Sequence, residues 1–179
     1  IDVGKLGVGE KDNQILDVVA HLKKHYEDQG FNQKGYDVQE QFFEWRGIRQ
    51  ANLIVKIKGT LAEKDNKPVI LSDHIDKAIA EDIHEQTGKR ITNPGADDNA
   101  TATAALLAAA RVLKDKYKNN PPEHDIWIVH FTGEEFPGSS LGARYFVSDL
   151  LKRGIDITAN INMDMMGNRT KNDKLFQIN

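Results

Sequence analysis

Three short apolar runs, Pro68–Leu71, Ile126–Phe131 and Ile157–Met163, alternate with two longer helix-like segments, Asp98–Tyr117 and Ser140–Arg153. Few folds accommodate that alternation, because parallel strands need long crossovers and helices supply them. The expected architecture is a three-layer α/β/α sandwich around a mixed, mainly parallel central sheet. Asp98–Tyr117 is Ala/Leu rich with acidic residues at its start, and Gly154 stops the second helix. Upstream, Asn13–Gln29 repeats apolar residues at Ile15, Val18, Val19, Leu22 and Tyr26, a helical spacing with Asp12 as cap and Gly30 as stop. Tyr36–Trp45 and Asn52–Lys58 are strand candidates. The alternation of Leu53, Val55 and Ile57 predicts a second strand with one wet face. Lys77–Pro94 is polar without a period and reads as a long loop, and Leu175–Ile178 begins a further strand candidate.

The chain of 179 residues, 39% apolar and 28% charged, is expected to form one domain over residues 1–179 with a real core. Its net charge of −3 excludes a strongly basic nucleic-acid surface, so no nucleic-acid partner is expected. No apolar run approaches the roughly 20 residues of a membrane helix. Cysteine is absent, which removes disulfides, thiolate nucleophiles and Cys-ligated zinc. Any chemistry falls to imidazole and carboxylate groups.

Those groups cluster where the strands end. Asp73-His74-Ile75-Asp76 follows the first run, Asp97-Asp98 precedes the Ala-rich helix, Glu134-Glu135 follows Ile126–Phe131, and Asp164 follows Ile157–Met163. Open α/β sheets gather ligands outside the carboxyl ends of parallel strands. Carboxylates at that density repel one another, and a cation relieves the repulsion. One imidazole with several carboxylates suits Zn²⁺ or Mn²⁺ better than Ca²⁺. Taken singly, each cluster has a plain structural explanation. Asp98, for instance, reads as a helix cap, which leaves Asp97 available as a ligand. Repetition at every strand end favours the common explanation.

The ordered segments Asp73-His74-Ile75-Asp76, Asn93-Pro94-Gly95-Ala96-Asp97-Asp98-Asn99-Ala100, Phe131-Thr132-Gly133-Glu134-Glu135 and Asn162-Met163-Asp164-Met165-Met166-Gly167 resemble the zinc-dependent aminopeptidases of peptidase family M28. The likeness runs from about Asn13 to the C-terminus, over the N-terminal part of that family's catalytic domain. It implies a zinc exopeptidase fold, a peptide substrate and two Zn²⁺ ions. It further implies His74 and Asp164 as ligands of the first zinc, Asp97 as the bridging carboxylate, and Glu135 as a ligand of the second. Asp76 would hold the His74 imidazole, and Glu134 would be the general base. The family's cis peptide would fall at Asp97–Asp98. Glu134 and Glu135 can serve one site only from a turn, since strand neighbours point to opposite faces, and Gly133 with Pro137-Gly138 supplies that turn. By the same alternation, Asp73 is expected to face away from His74.

The family also uses a His well downstream of the Asp164 position, and no His follows His130 here. The second zinc site is therefore expected to be incomplete, and the chain to be an inactive or weakly active N-terminal piece, free to self-associate through an exposed sheet edge. Export to a secreted or periplasmic location is an expectation from the resemblance. Two alternatives stay open: a single-zinc glutaminyl cyclase, disfavoured by His74 with Asp76, and a non-catalytic binding domain, disfavoured by Glu134.

Overall fold

A computed structural model describes residues 14–78, 85–89 and 94–167. The first helix, α1 (Gln14–Asp28), buries Val19, Leu22 and Tyr26, one stripe at three- and four-residue spacing, and ends at Gly30 with φ +80°. Two ten-residue strands follow, β1 (Tyr36–Trp45) and β2 (Ile48–Ile57), paired antiparallel across the tight turn at Arg46-Gly47. A 3-10 turn at Glu63–Asp65 leads to β3 (Val69–His74). Helix α2 (Ala100–Tyr117), strand β4 (Ile126–Phe131), helix α3 (Leu141–Arg153) and strand β5 (Ala159–Asn162) complete the described order.

The five strands lie in the order β1-β2-β4-β3-β5. β2 pairs antiparallel with β4, while β3 runs parallel to both β4 and β5. The sheet is thus mixed, with its parallel half carrying the acid-rich strand ends. Helices cover both faces, giving the expected three layers. On one face, α1 and α2 pack Val19, Leu22, Tyr26, Leu106 and Ala110 against Ala51, Leu53, Val55 and Ile128. On the other, Phe146 and Leu150 of α3 meet Ile54, Ile70, Trp127, Val129 and Phe131. Burying each such large side chain contributes about 1.5–3 kcal/mol before entropy is charged against it.

Two sequence expectations need correction here. β2 begins at Ile48, four residues before Asn52, and over its middle neither face is wet: Ala51 through Val55 are all buried. The polar residues of the supposed wet face are satisfied instead. Asn52 donates to Gln41 and to the Gly142 carbonyl, and the Lys56 ammonium lies 4.4 Å from the Trp127 ring centre. The second correction concerns α2, which starts at Ala100 with Asn99 at its cap position, so Asp98 stands outside the helix and does not cap it. The candidate strand Leu175–Ile178 and most of the Lys77–Pro94 loop lie outside the described residues.

Candidate metal centre

The carboxyl ends of β3, β4 and β5 and the entry to α2 converge on one place. His74 is the last residue of β3, and its side chain is nearly inaccessible. Its Nδ1 lies 3.2 Å from the Asp76 carbonyl, which can only accept, so Nδ1 carries the proton of that bond. Nε2 is then the nitrogen turned to the carboxylates. It stands 3.1 Å from Asp98 Oδ1 and 3.6 Å from Asp164 Oδ1. Ligand atoms of His74, Asp98 and Glu135 all lie within 4.8 Å of one another.

Glu134 and Glu135 reach the centre from the turn after β4. Gly133 adopts φ +69°, a conformation open to glycine at little cost. Gly138 folds back so closely that a Cβ there would meet the Gly133 carbonyl oxygen at 2.4 Å. The expected turn is present, and Asp76 holds it. One Asp76 oxygen accepts the Glu134 amide at 3.1 Å and the other the Glu135 amide at 3.0 Å. The expectation for Asp76 was a carboxylate on the His74 imidazole; that pair is 3.8 Å apart, and the carboxylate is engaged chiefly by the two amides. Glu134 Oε1 receives a long 3.4 Å hydrogen bond from the Ser140 hydroxyl and borders a cleft with His74, Phe131, Asn162 and Asp164.

Asp97 is not in the group. Its Oδ1 accepts from the Thr101 hydroxyl at 3.0 Å and the Gly167 amide at 2.6 Å. Asp98, one residue along, is the acid turned to His74 Nε2, and the non-proline cis bond is Asp98–Asn99 rather than Asp97–Asp98. Two adjacent acids in a turn point in different directions, and residue spacing alone does not say which faces the imidazole.

The charges at this centre are unbalanced. Among the described residues, Asp98 Oδ1 and Glu135 Oε1 are buried without a hydrogen-bond partner, His74 being near enough to Asp98 for an ion pair but misaligned for a hydrogen bond. Burial, reinforced by the Asp98 charge, pushes the Glu135 carboxyl up to about 7. Burial by itself would lower His74, but the Asp76 carboxylate, with Asp164 and Glu134, raises it to about 9. Orphaned carboxylate oxygens beside an imidazole are a donor set that a divalent cation satisfies, and their mixture of nitrogen and oxygen suits zinc.

A different cluster escaped the sequence reading. Asp73 does turn away from His74, as strand alternation requires, and enters a buried network on the opposite face of the sheet. His130 Nδ1 lies 2.6 Å from Asp73 Oδ1, the Thr103 hydroxyl donates to Asp73 Oδ2 at 2.6 Å, and the Tyr26 hydroxyl is 2.8 Å from His130 Nε2. Burial, with the nearby Asp73 charge, pushes the Tyr26 hydroxyl far above its ordinary range, so the phenol keeps its proton. The available signal was a histidine on an otherwise apolar buried strand, at the register position directly beside Asp73.

The model of peptidase family M28 matches residues 52–179. Leucine aminopeptidase 1 of Uncinocarpus reesii is 26% identical over 152 residues, which cover 84% of this chain and 35% of that protein. The Legionella pneumophila LapA aminopeptidase superposes with a TM-score of 0.65 at 20% identity, covering 89% of this chain and 38% of its own. A glutaminyl cyclase from an Acidobacteriales bacterium superposes with a TM-score of 0.56 at 21% identity, covering 83% of this chain and 49% of its own. The chain thus spans less than half the length of each of these three proteins. Because that family model matches most of this chain, the chain belongs to peptidase family M28.

Proposed function

We propose that this chain carries the metal-binding part of a zinc-dependent aminopeptidase, which releases N-terminal residues from peptides. The observation that carries the reading is the convergence of His74, Asp98 and Glu135 within 4.8 Å, with two carboxylate oxygens left orphaned. Asp164, 3.6 Å from the same imidazole nitrogen, is a fourth candidate ligand. Its inclusion supports two zinc ions, with Asp98 in the shared position. Bound zinc would supply a Lewis acid for the scissile carbonyl and lower the pKa of a water. Glu134 accepts the proton of the attacking water and returns it to the leaving amine. Asp76 fixes the turn that presents Glu134 beside Glu135. Four ligand side chains among the described residues are too few to close two zinc shells, so we infer weak activity or none for this chain alone.

The fold is shared with glutaminyl cyclases, so fold does not choose between the two activities. Metal content by mass spectrometry, paired with release of the N-terminal residue from a peptide, does choose. Bound zinc with slow release supports the peptidase reading. Bound zinc with cyclisation of an N-terminal Gln, and no release, transfers the chain to the cyclases. No zinc removes both. Full peptidase activity in excess Zn²⁺ would overturn the inferred weakness.

Two further readings are proposals. No helix among the described residues is long and apolar enough to cross a membrane, and family resemblance supports export to a secreted or periplasmic location. Among the described residues, β5 ends the strand order and is exposed along its length, which supports self-association through that edge. Light scattering that returns a monomer mass at every concentration would contradict it.

A further inference from the structure

Behind the metal centre, the residues adjacent to His74 and Asp98 tie those ligands' segments to others. Asp73 precedes His74, and its carboxylate receives the Thr103 hydroxyl from the first turn of α2. Asn99 follows Asp98; it donates to the Met163 carbonyl and accepts the Met165 amide, the two neighbours of Asp164. These links join β3 to α2 and α2 to the exit of β5. The first is the more costly to build. It needs a carboxylate fully enclosed in the core, which is destabilising unless every lone pair is engaged. Here His130 takes one oxygen and Thr103 the other, and Tyr26 closes the far side of His130. An apolar residue at position 73 would fill the same space without that demand.

We propose that Asp73, clamped by His130 and Thr103, is a positioning residue that sets the separation between His74 and Asp98. Asp73 touches no candidate ligand side chain; it acts through the backbone of β3, one residue away. The Thr103 bond anchors α2 to that strand four residues beyond Asn99, where helix geometry transmits the constraint back to Asp98. A clamp of this kind pre-organises the gap between imidazole and carboxylate before the cation arrives. Because zinc binding is the function being positioned, this inference rests on the metal reading above.

The test is the affinity of the whole chain for Zn²⁺, measured by competition against a chromophoric chelator, beside the thermal unfolding of the metal-free protein. Thr103→Val removes the hydroxyl and keeps the shape. It should weaken zinc binding by about tenfold, the scale of an outer partner's loss. Thr103→Ser restores the hydroxyl and should return affinity to within about twofold of the unaltered chain. Val19→Ala, in the same core but outside the network, should lower the unfolding temperature and leave affinity unchanged. Unchanged affinity in folded Thr103→Val overturns the positioning role while leaving the zinc reading intact. Equal losses in Val19→Ala and Thr103→Val overturn it too, since general destabilisation would then suffice. Should Thr103→Val fail to fold, the Thr103→Ser and Val19→Ala pair decides: Ser with weakened binding, or Val19→Ala with weakened binding, counts against the clamp. An unaltered chain that binds no zinc overturns both readings together.

Discussion

Asp73 and His74 are consecutive residues of one strand, yet they enter opposite environments. On the α1–α2 side, Asp73 meets a full complement of donors: the side-chain polar atoms from Tyr26 through His130 to Thr103 all have partners. On the opposite side, His74 faces Asp98 and Glu135, each with one orphaned carboxylate oxygen, and Glu135 holds its proton up to about 7. Both groups are acidic and contain a histidine. The difference is satisfaction. A satisfied buried network stabilises or positions, whereas an unsatisfied one waits for a ligand. Histidine plus carboxylate at a strand end does not by itself identify a metal site; the accounting of lone pairs does.

That comparison can be broken most strongly on the satisfied side. Asp73→Ala leaves His130 and Thr103 buried without their acceptor and should cost about 3 kcal/mol of stability, read by urea unfolding of the metal-free chain. A loss below the ordinary surface range would mean the network is not satisfied as described. Next, His74→Ala should reduce zinc affinity by at least about 100-fold in chelator competition, more than any outer partner. Tyr26→Phe comes third, at about 1 kcal/mol, with zinc affinity unmoved.

Two smaller effects sharpen the contrast by their sign. Asp98→Asn removes a charge from a self-repelling group, so the metal-free chain should unfold at a higher temperature while zinc binding falls. A lower unfolding temperature would mean that Asp98 is already compensated. The pH trend follows from the same groups. His74 is raised to about 9 from 6.5, so its contribution is complete below 6.5 and is lost as pH climbs through 9. Glu135 is raised to about 7 from 4.5, so its contribution is complete below 4.5 and is lost by pH 7. Metal-free stability from this site should therefore fall between about pH 4.5 and 9, and bound zinc should reverse the trend, because it takes the deprotonated ligands. Thermal scans across that window, with and without Zn²⁺, check the sign.

Much of the site was legible because its parts are local. The helix over Asp98–Tyr117, the turn around Glu134-Glu135 and the outward direction of Asp73 follow from propensity, glycine placement and strand alternation. Less legible were which of two neighbouring acids turns to the imidazole and the pairing of distant residues. Asp97 and Asp98 are chemically alike, and capping logic removed Asp98 from consideration; in the fold the helix starts two residues later, and Asp98 is the one turned to His74. His130 and Tyr26 are 104 residues apart, and no local period links them. β2 read as half-wet because Asn52 and Lys56 are polar, yet both are satisfied by partners supplied by other elements.

The central claim is that a cation sits between His74, Asp98 and Glu135. Anomalous scattering at the zinc edge, recorded on crystals of the chain grown with Zn²⁺, tests it most directly. The account predicts a peak within bonding distance of His74 Nε2 and of carboxylate oxygens from Asp98 and Glu135. A peak bound by Asp97 instead, or no peak at this centre, would contradict it.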